Sequence, residues 1–351
     1  MNEPKSAKYH RLKRRAGVVS LATSVGLVAG FLWLRPSLPI AVYVLLLAVV
    51  NEGIALPAAF YRGFVLERRY ELSSEPVSAW FRDHAKAFGL ATGFALVAAE
   101  VVYALIAWLP EWWWLATAFI GAGVTVLLAK LAPIVLLPLF YRFTLLDRPA
   151  LTTRLLALSQ RAGVPVLGVY EWGLGDRTRR ANAALVGSGA TRRILLSDTL
   201  LAEYSEDEIE VILAHELAHH IHGDIPKGIA LELAVLLAAC YFAGAAVDRL
   251  WAPLGLRGPA DVAGLPLLLL VGGAVTLTAT PMMNAFSRRH ERKADQFALA
   301  LTDQRDAFVS AMRRLGAQNL AEESPSRAAV WLFHTHPPVD ERIAAARTVA
   351  G

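Results

Sequence analysis

Six long apolar stretches divide the chain, at about 16–34, 39–60, 89–109, 112–140, 227–250 and 263–284. Each approaches or exceeds the ~20 residues that a helix needs to cross the hydrocarbon core of a bilayer. The pattern predicts six membrane-spanning helices, with Pro133 and Pro138 blurring the end of the fourth. The first stretch follows Lys5, Lys8, Arg11, Lys13, Arg14 and Arg15 and could be taken for a signal peptide. It is longer than the ~7–15-residue apolar core of such a peptide, and Trp33-Leu34-Arg35-Pro36 offers no small-x-small cleavage site, so a retained span is expected.

Between the fourth and fifth stretches the periodicity changes. Residues 151–162 have the spacing of an amphipathic helix, Val166–Tyr170 and Arg193–Leu196 read as short strands, and Ala181–Val186 is a weaker third. Ser205 with Glu208 three residues on forms a capping box just ahead of Ile209, Val211, Ile212 and Leu213. A helix is predicted from there to about Gly223. The expected fold is mainly α: a multi-pass helical membrane part with a small cytoplasmic α+β domain. Residues 1–140 hold spans one to four with a polar loop at 61–88, 141–226 the α+β domain, 227–284 spans five and six, and 285–351 the remainder of that domain.

Composition agrees. Apolar residues make up 55% of the 351 and charged residues only 19%, a balance unusual for a soluble chain. Cys240 is the single cysteine, which rules out an intrachain disulfide and a stapled secreted scaffold. The formal charge of +5 does not point to nucleic acid, because the basic residues flank the apolar stretches. They act instead as orientation signals. The N-terminal cluster and the loop with Arg62, Arg68, Arg69, Arg82 and Lys86 should be cytoplasmic, and the loops near 35–39, 110–111 and 251–262 outside. An even number of spans then places 141–226 and 285–351 on the same, cytoplasmic side.

The chemistry concentrates in those two segments. His215-Glu216-Leu217-Ala218-His219 puts two imidazoles four apart on one helix face, where they can converge on a zinc ion, with Glu216 placed as general base toward water. A catalytic zinc needs one more protein ligand. The best candidate is Glu291, with Asp295 four residues on to receive the free N–H of a ligating histidine; His290 is the rival ligand. Arg288, Arg289, Arg292 and Lys293 read as a solvated helix face. So do His220, His222 and Asp224 at the end of the metal helix, Asp224 being close enough to brace it. Glu52, Glu100, Lys130 and Glu232 fall within predicted spans, where each costs about 2.5–3.5 kcal/mol at the centre of a lipid-facing helix. They are expected to line a hydrated chamber; the alternative is pairing inside a dry bundle.

The chain resembles the type I CAAX prenyl protease family of membrane zinc peptidases over most of its length. Leu56-Pro57 with Phe64–Tyr70, Pro133 to Phe143, Asn182-Ala183, Ile194–Leu200, the H-E-x-x-H helix, Ser287-Arg288, Glu291 with Ala294-Asp295, and His336-Pro337-Pro338 with Glu341-Arg342-Ile343 occur in family order. The resemblance implies one zinc on His215, His219 and Glu291, a gluzincin-like peptidase domain, catalysis by Glu216, and a hollow helical barrel around an intramembrane chamber that a peptide or protein substrate enters. It also implies that His336 stabilises the oxyanion, in keeping with a donor held rigidly before two prolines. Asn182 is a weaker candidate for holding a substrate backbone beside an edge strand. Two features depart from the pattern: Ala218 stands where the family commonly has glycine, and eukaryotic members carry one further span. The Ala-, Leu- and Arg-rich composition points to a bacterial cytoplasmic membrane, where prenylated substrates are generally lacking. The other classes to weigh are an HtpX-like quality-control protease, a non-catalytic pseudoprotease adaptor, and a zinc-dependent transporter.

Overall fold

The computed structural model describes residues 4–175, 177–187, 189–322 and 325–348; the outer ends of the first and last segments, 1–3 and 349–351, lie outside these described residues. Among the described residues, six helices are long and apolar enough to cross a membrane. The first four are α1 (Lys5–Leu34), α2 (Ile40–Phe60), α3 (Val77–Trp108) and α4 (Trp113–Leu131). Large apolar side chains such as Val18, Phe94, Val97 and Phe119 stand exposed on these helices, as a lipid-facing surface requires. Trp33, Trp108 and Trp112 are exposed at span ends, where an indole suits the membrane–water interface. The spans are tied together at that end by Phe31, Tyr43, Tyr103, Trp113, Val247 and Leu265.

The apolar stretch at 112–140 is not one regular helix. After α4 ends at Leu131 the backbone widens into a π turn at Ala132–Leu136 and resumes as a short helix at Leu137–Phe140. Pro133 and Pro138 lack the N–H that a regular α-helix would use, so the break falls where they do.

The polar part carries β1 (Phe143–Leu145), α5 (Pro149–Arg161), β2 (Val169–Trp172), β3 (Ala183–Val186), β4 (Arg193–Ser197), α6 (Asp198–Glu203) and α7 (Glu206–Ile221). The sheet order is β1-β2-β4-β3, with β2 and β4 parallel and the outer pairings antiparallel, so β3 is an edge strand. The strand expected at 166–170 starts three residues later and ends two later, at Val169–Trp172, and β1 has no counterpart in the sequence reading. The capping box forms as expected, Glu208 N–H donating to Ser205 Oγ at 3.2 Å and Ser205 N–H to Glu208 Oε2 at 2.8 Å. Helix α7 buries Ile209, Leu213 and Leu217 against Leu151, Leu155, Ile194 and Leu196.

The chain then crosses again as α8 (Asp224–Leu250) and returns as α9 (Leu265–Thr302), one helix despite Pro281 within it. Because α9 is continuous, it runs from the membrane stretch directly past α7 and delivers Glu291 and Asp295 to it. The last helices, α10 (Arg305–Gln318), α11 (Arg327–Phe333) and α12 (Val339–Thr348), close the domain, with Phe308, Met312 and Ile343 in the same core as α7.

Candidate active site

Helix α7 brings His215 and His219 to one face with their Nε2 atoms 3.3 Å apart. Helix α9 presents Glu291 between them, Oε2 at 3.2 Å from His215 Nε2 and Oε1 at 3.5 Å from His219 Nε2. Three donors bound tetrahedrally to one ion at about 2.1 Å stand about 3.4 Å from one another, so the spacing fits a zinc ion. Glu291 Oε2 is moreover buried and accepts no hydrogen bond, an orphan that a cation would satisfy.

The far nitrogens are held as a metal site needs. His215 Nδ1 lies 2.9 Å from Asp295 Oδ1 and His219 Nδ1 lies 3.0 Å from Asp224 Oδ2, which leaves both Nε2 atoms free to face the centre. Arg342 donates to Asp295 through Nε at 2.8 Å and fixes that carboxylate in turn. Burial pushes the His215 ring toward neutrality, but the carboxylates of Asp295 and Glu291 beside it outweigh this and raise its pKa to about 9. Burial also raises the Glu216 carboxyl, with His215 and His219 opposing the shift. A pocket this rich in buried carboxylate is built for a cation.

Asn182, Glu216 and His336 line the same cavity, of about 620 Å³, as His215 and Glu291. His336 Nε2 stands 3.3 Å from Glu291 Oε1 with its side chain 61% exposed, at the lip where it can meet a ligand. Of the in-span charges, Glu52 pairs with His84 at 2.6 Å, while Glu100, Lys130 and Glu232 are exposed on their helices. Those four do not line this cavity.

Two residues, Arg288 and Arg342, have roles that the sequence did not assign, and Asp224, offered there as a possible brace of the metal helix, does brace it through His219. Asp224 is no solvated helix-end group: its side chain is 8% exposed and also accepts from His290 Nδ1. His290, the rival ligand, is thereby turned onto Asp224 while Glu291 joins the imidazoles. Arg288, expected on a solvated face, is buried and donates to the carbonyls of Val330 at 3.0 Å and His334 at 2.6 Å, anchoring the segment that leads to His336. Arg342 lay in a quoted motif but carried no role. The contacts of Arg288 and Arg342, and that of Asp224 with His290, span long sequence separations, which periodicity does not register.

Comparison with known proteins converges on one family. The family model described as Peptidase family M48 matches residues 146–350. The model described as CAAX prenyl protease N-terminal, five membrane helices, matches residues 17–142, across which this chain has four candidate spans. A Bacillus subtilis protein named uncharacterized metalloprotease YhfN is 30% identical over 309 residues, covering 86% of this chain and 71% of that one. A Dictyostelium discoideum CAAX prenyl protease 1 homolog is 25% identical over 303 residues, 84% of this chain and 69% of the relative. The crystal structure of S. mikatae Ste24p shares the fold, with a TM-score of 0.86, 22% identity, and coverage of 97% of this chain and 88% of that one. Spans, donor set and sequence matches together place the chain in peptidase family M48, as a multi-pass membrane metalloprotease of the CAAX prenyl protease type.

Proposed function

We propose that this protein hydrolyses peptide bonds of membrane-associated, CAAX-like substrates, with one zinc per chain held by His215, His219 and Glu291. When bound, zinc supplies the Lewis acidity that makes water nucleophilic near neutral pH and polarises a carbonyl. Glu216 takes a proton from the attacking water and returns it to the departing amine. Desolvation at the half-buried Glu216 favours this exchange by holding the carboxyl above its ordinary range. His336 donates a hydrogen bond to the carbonyl oxygen as that atom gains charge, and Arg288 holds its segment in place. Strand β3 receives the substrate backbone as an added strand at Ala183, with Asn182 beside it at the cavity. Segments 141–226 and 285–351 work as one peptidase unit on the cytoplasmic side of a bacterial inner membrane. Glu52, Glu100, Lys130 and Glu232 line a hydrated intramembrane chamber through which the substrate passes.

The observation that carries this reading is the meeting of the His215 and His219 Nε2 atoms with an orphan Glu291 carboxylate oxygen, at a cavity that His215, Glu216 and Glu291 line. An internally quenched peptide assay on detergent-purified protein tests it. Wild type should cleave and lose activity to a chelator. Glu216→Gln should retain zinc while turnover falls by about 10²–10⁴. Cleavage by Glu216→Gln at the wild-type rate would overturn the assignment.

A further inference from the structure

Strand β3 pairs with β4 through Ala183↔Leu196, Ala184↔Leu195 and Leu185↔Ile194, and among the described residues its other edge has no strand partner. Just before it, Ser197 N–H donates to the Asn182 carbonyl at 2.9 Å, so the main chain of Asn182 faces β4. In an antiparallel ladder the main-chain groups of successive residues alternate sides. Ala184 therefore also faces β4, and Ala183 and Leu185 turn their N–H and C=O groups to the free edge. Ala183 lines the cavity with His215 and Glu216, but Leu185 does not. The Leu185 carbonyl is already engaged: His220 Nε2–H, one residue beyond His219 on α7, donates to it at 3.1 Å.

We propose that His220 is a positioning residue that closes the free edge of β3, so that a bound peptide makes its main-chain hydrogen bonds at Ala183 and donates none to Leu185. This rests on the strand-pairing reading above and adds a limit to it. With the edge closed one residue pair from the cavity, the peptide cannot slide along the strand. Its register against Glu216 is then fixed without any contact to its side chains, because the ring that closes the edge belongs to the helix that bears Glu216.

A backbone N-methyl scan tests the limit. An internally quenched peptide cleaved by wild type is resynthesised with one backbone amide methylated at a time, and KM is measured for each. In wild type one position should be sensitive, with KM rising about threefold to tenfold, the worth of one neutral hydrogen bond. In His220→Ala a second sensitive position, two residues from the first, should appear, because the Leu185 carbonyl is open. His220→Phe keeps the ring's bulk without the donor and should behave like His220→Ala. His220→Gln restores a donor and should return the single-position pattern. A packing role would lower kcat/KM evenly and leave the pattern unchanged in every variant; that result, or two sensitive positions in wild type, overturns the proposal. The same scan read as fluorescence anisotropy of labelled peptide on Glu216→Gln needs no cleavage. Loss of turnover there leaves the closed edge standing, whereas binding indifferent to every N-methyl group removes it even where cleavage is robust.

Discussion

Replacing Asp224 with alanine should weaken zinc binding by about 10- to 100-fold, the usual effect of removing a carboxylate that orients a metal-ligating histidine. The size follows from the contacts. The carboxylate is 8% exposed and spans two rings, Oδ2 at 3.0 Å from His219 Nδ1 and Oδ1 on His290 Nδ1. Its loss frees the His219 ring to rotate or change tautomer, and leaves two donors in a place with little access to water. In free energy the affinity loss is about 1.4–2.7 kcal/mol, and each orphaned donor adds about 1–3 kcal/mol to the cost of folding. Asp224→Asn keeps one acceptor oxygen but turns an amide N–H₂ toward the other ring, so its loss should sit near tenfold. His290→Ala removes the outer contact only and should weaken zinc less than either. Affinity is read by competition with a fluorescent chelator, and fold stability by the melting of the chelated protein. Zinc affinity within twofold of wild type in Asp224→Ala would show that Asp224 does not orient His219.

Other consequences follow from the same geometry. His336→Ala should lower kcat by about 10²–10³ with zinc content unchanged; an unaltered kcat would remove His336 from the chemistry. In the metal-free protein the His215 ring is held at about 9, above its ordinary 6.5, so at pH 7.5 it carries a proton that an incoming metal must displace. Zinc affinity should therefore climb about tenfold per pH unit up to that value and level off above it. Isothermal titration in two buffers of different ionisation enthalpy should report about one proton released from this ring at pH 7.5; none released would contradict the carboxylate-held imidazole.

Much of this was readable from the chain because the signals were local. The spans announce themselves by length and apolarity, the capping box by Ser205 and Glu208, and the paired imidazoles by their spacing on α7. Glu291 was reachable by asking which carboxylate on the same side could supply a third donor with a partner one turn away. What was not legible depends on contacts between distant segments. Asp224 looks like a helix-end aspartate until His290, 66 residues later, is brought against it. Arg288 looks like one more charge in Arg288-Arg289 until the carbonyls of Val330 and His334 close over it. Strand β1 has only three residues, too few for alternation to register, and its partner β2 fixes it. The proline-broken end of the fourth span was visible as an irregularity, but the widening into a π turn was not.

Zinc per chain, measured on detergent-purified wild type beside Glu291→Ala, tests most directly whether two segments separated by a pair of membrane helices meet on one metal ion. One zinc per wild-type chain and a clear deficit in the variant are expected. A wild type without stoichiometric zinc, or a variant that holds it as firmly, would contradict the account.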